Sequence, residues 1–252
     1  MKFTPKNFIE SKGQTPIAML TAYTTPVAKY LEQAGIPIIL VGDSVGMVEM
    51  GFKSTREVTI DHMRYHIGAV RRGAPNTHII GDMPYNTDTD PETAEINARL
   101  LIGAGADSIK LEGPKYDVIK YLRDQDIEVV GHTGLTPQTS ANFKQVGGNR
   151  QDADRIVVEA RGIESAGAFM MVLEHIPREL ARDVTATVGV PTIGIGAGPF
   201  CDGQVLVVND AIGMGDYWPP FSRQFAHVGK SISGAVTEFR AAVEGGYFPG
   251  QA

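Results

Sequence analysis

A single cysteine, Cys201, stands in a chain of 252 residues. That excludes an internal disulfide and any multi-cysteine metal centre, so a bound metal would rely on oxygen or histidine ligands. No apolar run approaches the ~20 residues of a membrane-spanning helix, and the opening MKFTPKNF carries no apolar signal-peptide core. Both absences lead to the expectation of a soluble, cytoplasmic protein that does not meet a membrane. Positive charge is also short: 23 Lys and Arg face 29 Asp and Glu, for a net charge of -6, and no basic cluster offers a footprint for nucleic acid. Linkers and low-complexity segments are missing too, so residues 1–252 are expected to form one domain.

What the sequence has instead is a recurring figure, a short apolar run that stops on an acid. IPIILVGDSVG at 36–46 carries Asp43, NTHIIGD ends on Asp82, DSIKLE on Glu112 and AFMMVLE on Glu174. Such strand-sized, almost wholly apolar runs suit parallel strands buried on both faces. Stretches of helical period separate them: Val27, Tyr30, Leu31 and Ala34 behind Thr25 and Pro26 as N-cap and first helical residue; Ile60, Met63, Ile67 and Val70; Ala94, Ala98 and Leu101 behind Asp90 as cap; a segment around 116–123; Ala153, Ile156, Val157, Ala160 and Ile163; Leu180, Val184 and Val188 after Pro177. PIAMLTAY at 16–23, IEVVGH ending at His132, VPTIGIGAG and QVLVVND ending at Asp210 bring the strands to eight. Eight strands interleaved with helices in a chain near the usual ~250 residues predict a single-domain (β/α)8 barrel rather than an open doubly wound sheet.

In such a barrel the active site sits at the C-terminal ends of the strands. Asp43, Asp82 and Glu112 would end the second, third and fourth strands and be neighbours there. Three carboxylates forced together raise one another's pKa, a conflict that a hard divalent ion such as Mg2+ removes. The alternative for each acid is a helix cap or a pairing with a base such as Lys110. Glu174 stands two strands further round behind the apolar AFMMVL, where burial would raise its pKa and suit it to general-base work; a cap beside Pro177 is the other reading. His132, at the same rim, could handle a proton or be structural. His62 and His66 have the i, i+4 spacing of a zinc pair but lack the HExxH glutamate, and read as ordinary histidines. GIGAG at 194–198 brings its third glycine one residue too early for a dinucleotide fingerprint, and its glycines serve instead for close approach of backbone to a ligand. The long segment 46–59 suggests a mobile cover over Asp43. Val228, Ile232, Ala235, Val236, Phe239 and Val243 form a last apolar stripe that either closes the barrel or meets a partner.

The segments LTAY at 20–23, LVGDSVGM at 40–47, YHIGAVRRGAPN at 65–76, GAGADSIKLEG at 103–113, GHTGLTPQ at 131–138, LEHIP at 173–177 and PTIGIGAGPFCDGQVLV at 191–207 together resemble the ketopantoate hydroxymethyltransferase family, in its order and over nearly the whole chain. The resemblance implies a (β/α)8 barrel that transfers a one-carbon unit from 5,10-methylenetetrahydrofolate to 3-methyl-2-oxobutanoate through a Mg-stabilised enolate, on the way to pantothenate and coenzyme A. It implies Mg2+ on Asp43, Asp82 and Glu112, substrate contacts from Asp43, Ser44, Asp82 and Lys110, Glu174 as catalytic base, and a homo-oligomer, commonly a decamer. His132 joins the expected substrate contacts from its place at the rim. The chain departs from the family pattern at Thr24, where Asp is usual; at KQVGG, 144–148; and in a tail that stops at Ala252. These departures bear on folate contacts and loop closure and leave the expected metal site intact.

Two competing readings use the same residues. A carbon–carbon lyase acting on 2-oxo or 2-hydroxy acids would exploit the same enolate, but related lyases and phosphonomutases carry a cysteine in a basic loop, and Cys201 lies elsewhere. A non-catalytic sensor of 2-oxo acids would be expected to lose Glu174 while keeping the other acids, and here all four acids and Lys110 are present.

Overall fold

Eight short strands, β1 (Ile17–Thr21), β2 (Ile38–Val41), β3 (His78–Asp82), β4 (Ser108–Lys110), β5 (Val129–Gly134), β6 (Met170–Glu174), β7 (Thr192–Ile195) and β8 (Gly203–Leu206), pair in sequence order, and β8 returns to β1 to close a parallel barrel. This computed structural model describes residues 2–140 and 142–250; the last two residues of the tail, Gln251 and Ala252, lie outside them. The expected (β/α)8 architecture is present. It occupies the first of two compact units, 1–206, and 207–252 form the second.

Side chains fill the barrel. Ile17 and Met19 of β1, Ile38 and Leu40 of β2, Ile80, Val130, Met170, Val172, Ile193 and Val205 belong to one buried cluster, the layered interior that a barrel of alternating inward residues requires. A short helix α1 (Pro5–Ser11), capped by Thr4, brings Phe8 into that cluster. Its ring stacks on Phe169 at 6.5 Å and meets His78 edge-on at 5.4 Å.

The outer helices are α2 (Thr25–Gln33), α4 (Ile60–Gly73), α5 (Pro91–Ala104), α6 (Tyr116–Asp124), α7 (Arg150–Ser165) and α8 (Arg178–Thr187), with the one-turn α3 (Val45–Val48) between β2 and α4. Asp90 caps α5 through Thr93 N–H at 2.8 Å, as its place before Pro91 predicts. The start of α2 lies one residue earlier than expected, with Thr24 rather than Thr25 at the N-cap, a shift within the tolerance of helix ends. Gly131 lets α7 sit close on β5: a Cβ there would meet Ile163 Cγ2 at 2.2 Å. His62 reciprocates the Thr59 cap of α4, its Nδ1 facing Thr59 N–H at 3.2 Å, and His66 Nδ1 binds the Tyr23 carbonyl at 2.8 Å. Both histidines have these structural partners.

The stretch expected as a mobile cover over Asp43, 46–59, contains most of α3 and a 3-10 turn, Thr55–Glu57. The eighth strand is shorter than predicted. It ends at Leu206, and Asp210 lies in a helix, α9 (Val208–Ile212), because an apolar run such as QVLVV reads equally well as buried strand or buried helix.

In the second unit Gly213 ends α9 with φ +68; a Cβ there would meet the Ala226 carbonyl at 2.3 Å. The long helix α10 (Val228–Glu244) buries none of its residues. Its stripe is open: Ile232, Val236, Phe239 and Val243 are 50%, 60%, 58% and 46% exposed. Among the described residues no helix is long and apolar enough to cross a membrane.

Candidate active site

The ladders of β2 and β4 stop at Val41 and Lys110, so Asp43 and Glu112 stand two residues beyond their strands, whereas Asp82 and Glu174 are the last residues of β3 and β6. All four come to the C-terminal rim. Asp43, Asp82 and Glu112 are no more than 5% exposed, and the Glu174 side chain is 18% exposed.

A chain of contacts links them. Asp82 Oδ2 accepts the backbone N–H of Asp43 at 3.2 Å, and Asp82 Oδ1 pairs with Lys110 Nζ at 2.8 Å. Lys110 Nζ also approaches His132 Nδ1 at 3.4 Å, while His132 Nε2 faces Glu174 Oε2 at 3.4 Å. Burial drives the imidazole well below its ordinary pKa, and the Lys110 charge drives it the same way. A neutral His132 that accepts from Lys110 at Nδ1 carries its proton on Nε2, toward Glu174. Ser44 Oγ lies 2.8 Å from the hydroxyl of the buried Tyr23. The structure thus brings every predicted site residue to one rim.

Four carboxylates share one ammonium here, and burial makes that imbalance felt. Desolvation lifts Asp82 to about 7 against the pull of Lys110 and Glu174 to about 8. It also raises Asp43 and holds Glu112 well above the usual carboxylate range. Burial opposes the charge on Lys110, but Asp82, Glu112 and Asp43 outweigh it and the net shift is upward.

Sequence reasoning missed Gln138, in the loop after β5. It is 2% exposed, and its amide donates to Asp43 Oδ2 at 2.9 Å and to the Met83 carbonyl at 2.8 Å. Its backbone N–H donates to Glu112 Oε2 at 3.1 Å. One residue therefore holds two of the three acids expected to bind metal. Arg56, on the 3-10 turn, donates to the Gln138 carbonyl at 2.6 Å and straps the two loops together. Only the presence of Gln138 within GHTGLTPQ marked it beforehand.

These partners also explain a difference from expectation. Among the described residues, no three His, Cys, Asp or Glu side chains already converge as a ligand group for one ion. Each acid is turned onto a protein donor instead: Asp82 onto Lys110, Asp43 onto Gln138 and Glu112 onto the Gln138 backbone. The donor set nonetheless fits Mg2+, which prefers oxygen, is usually held by one or two carboxylates with waters and substrate, and would supply the positive charge this rim lacks. Gln138→Leu should therefore keep the fold but weaken Mg2+ binding about 10- to 100-fold, the usual cost of losing a group that orients metal ligands. A Mg2+ titration of activity and a direct binding isotherm would both show it.

Cys201 lies between β7 and β8, and burial raises its thiol pKa. It is no part of this cluster.

A profile of the family described as ketopantoate hydroxymethyltransferase matches residues 2–251. A protein of Caldivirga maquilingensis named 3-methyl-2-oxobutanoate hydroxymethyltransferase is 43% identical over 254 residues, covering 98% of this chain and 96% of the relative. One of the same name from Acaryochloris marina is 46% identical over 242 residues, covering 93% of each. Among solved structures, 2,3-dimethylmalate lyase of the PEP mutase/isocitrate lyase superfamily superposes with a TM-score of 0.64 at 15% identity, over 100% of this chain and 91% of that one. At that identity the likeness speaks for the barrel fold alone.

Proposed function

The chain belongs to the ketopantoate hydroxymethyltransferase family, and from that premise we propose that it transfers a hydroxymethyl group from 5,10-methylenetetrahydrofolate to 3-methyl-2-oxobutanoate. The product is 2-dehydropantoate, on the route to pantothenate, and a cytoplasmic location belongs to the same reading. The observation that carries it is Glu174, a carboxyl lifted to about 8 by burial, facing His132 and lying across the rim from the Asp82–Lys110 pair.

The reaction needs a carbanion next to a ketone, and two things must be provided: a base for the C3 proton and a sink for the charge left behind. Glu174 is the base, since its raised pKa matches it to a proton that water would not remove near neutral pH. Lys110 binds the carboxylate of the 2-oxo acid, its charge sustained by the surrounding acids. Ser44, with its hydroxyl held by Tyr23, and the Nε2–H of His132 are the further donors at the rim. Asp43, Asp82 and Glu112 would hold Mg2+, which when bound supplies Lewis-acid stabilisation of the negative charge developing on the 2-oxo oxygen. The enolate carbon then bonds to the methylene carbon of the folate; that carbon gives up both its bonds to folate nitrogens and takes its hydroxyl from water, and tetrahydrofolate leaves with the C3 proton and one water proton on the freed nitrogens.

Incubation of the purified protein with 3-methyl-2-oxobutanoate, methylenetetrahydrofolate and Mg2+ should yield 2-dehydropantoate. Absence of that product, with cleavage of a longer hydroxy-oxo acid in its place, would turn the reading to a lyase.

Assembly is part of the same reading. The open stripe on α10 is continued by Phe248, whose ring meets Phe239 at 5.5 Å, and by Tyr247, 81% exposed. Contiguous exposed apolar side chains of this kind mark interfaces. A homo-oligomer larger than a dimer, a decamer in the family's manner, is expected, and a single light-scattering mass near 27.1 kDa at micromolar concentration would contradict it.

A further inference from the structure

A cavity of about 600 Å3 lies between the loops that follow β3, β4 and β5, and Glu112 and Gln138 are part of its wall. It therefore borders the carboxylate cluster without being made of it. Its size falls within the range of about 300–1,000 Å3 typical of small-molecule sites.

The loop after β3 contributes Asp88, which is 1% exposed. Lys115 Nζ sits 2.5 Å from its Oδ1, but Oδ2 is buried and accepts no hydrogen bond. A buried acceptor left empty is costly, and the chain beside it is tied down. Thr87 donates to the Pro84 carbonyl through both its N–H, at 3.1 Å, and its hydroxyl, at 2.7 Å, and Asn97 on α5 donates to the Thr87 carbonyl at 2.8 Å. These bonds fix the loop backbone next to Asp88.

The charge around it narrows the ligand. Asp88, Asp90, Glu112 and Asp117 line the cavity against Lys115, whose ammonium Asp88 already engages. An anionic head would be repelled; a ligand rich in N–H donors would be drawn in. The 2-oxo acid is excluded on that ground, since its carboxylate has Lys110. Tyr85 adds an aromatic surface to the wall, with the Arg56 guanidinium 5.4 Å from the ring centroid. A flat, donor-edged heterocycle is the chemistry that suits such a cavity.

We propose that this cavity is the subsite for the pterin ring of the reduced folate, and that Asp88 accepts hydrogen bonds from its amino-pyrimidine edge. The inference rests on the transferase reading above. A pteridine of the 2-amino-4-oxo type presents a ring N–H beside an exocyclic amino group, two adjacent donors matched to one carboxylate. Seated there, it lies next to the wall formed by Glu112 and Gln138, where the carbon acceptor is generated. Lys115 is the counter-charge that keeps Asp88 from being an isolated buried anion while the cavity waits.

Asp88→Asn tests this. Tetrahydrofolate and the fragment 6-methyltetrahydropterin should each bind the variant about 10- to 100-fold more weakly by calorimetry, the loss expected for hydrogen bonds to a charged partner. The other fragment, p-aminobenzoylglutamate, should bind both proteins alike. In turnover the change should fall on KM for methylenetetrahydrofolate. Exchange of the C3 hydrogen of 3-methyl-2-oxobutanoate with deuterated solvent, in which folate takes no part, reports that the cluster and the fold are intact. Unchanged affinity for tetrahydrofolate and the pterin in a variant that still exchanges would overturn the subsite and leave the transferase reading standing. Failure of the wild type to exchange at all would strike the transferase reading instead.

Discussion

Glu174→Gln is expected to slow exchange of the C3 hydrogen of 3-methyl-2-oxobutanoate with deuterated solvent by about 10²- to 10⁴-fold, the range a positioned general base contributes. Binding of the 2-oxo acid should change little, because Gln keeps the volume and Lys110 keeps its charge. The pH profile supplies an independent sign. A base works when ionised, and burial holds Glu174 at about 8, so the wild-type rate should climb with pH and level off above the apparent pKa. Mg2+ bound at the proposed site would favour the carboxylate and should move that midpoint down. Stability runs the other way. Because the folded pKa exceeds the ordinary value of 4.5, the native state holds more protons than the unfolded chain between those limits, and the Glu174 contribution to stability is lost as pH rises through about 8. Glu174→Gln should therefore melt higher than the wild type in metal-free buffer above pH ~8, while being the poorer catalyst. Exchange at the wild-type rate would mean that another residue is the base.

The barrel was legible because parallel strands are buried on both faces and so appear as unbroken apolar runs, each followed by a helix with its own cap. Ile38–Val41 and Met170–Glu174 are such runs. Legibility failed where the same composition serves two structures. Val208 lies in the apolar run that begins in β8, yet it opens α9; only the turn of the chain after Leu206 separates them. The segment 46–59 offered glycines and no period, which reads as loop, but Arg56 makes a strap of it by reaching the Gln138 carbonyl.

At the site, residue type and strand position were enough to gather Asp43, Asp82, Glu112 and Glu174 at one rim, since a barrel brings its strand ends together. They were not enough to orient the carboxyls. Lys110 ends the strand next to that of Asp82, in register with it, and its ammonium takes the oxygen that a ligand count would have assigned to metal. Gln138 was hidden for a different reason: a lone glutamine in a loop has no period, and its significance appears only when that loop folds back over Met83. Asp88 was masked by its neighbour, since in NTDTDP the helix cap at Asp90 accounts for the acidic character of the turn.

Asp82→Ala should abolish Mg2+-dependent activity, a loss of at least about 10³-fold, since it removes a carboxylate expected to bind the ion directly and not merely a group that orients one. The objection is that Asp82 also neutralises the buried Lys110 at 2.8 Å, and breaking a buried pair can cost about 3–5 kcal/mol. Two features limit the damage. Glu112 and Asp43 both stabilise the same ammonium, so the charge is not stranded. The backbone at position 82 pairs in register with Lys110 through main-chain groups, which alanine retains. The alanine also removes a carboxyl whose burial had lifted it to about 7. Circular dichroism should therefore report a folded barrel with a lowered melting temperature, while a calorimetric titration finds Mg2+ binding lost. A folded Asp82→Ala protein as active as the wild type would remove Asp82 from the metal site and, with it, the reason for placing an ion at this rim.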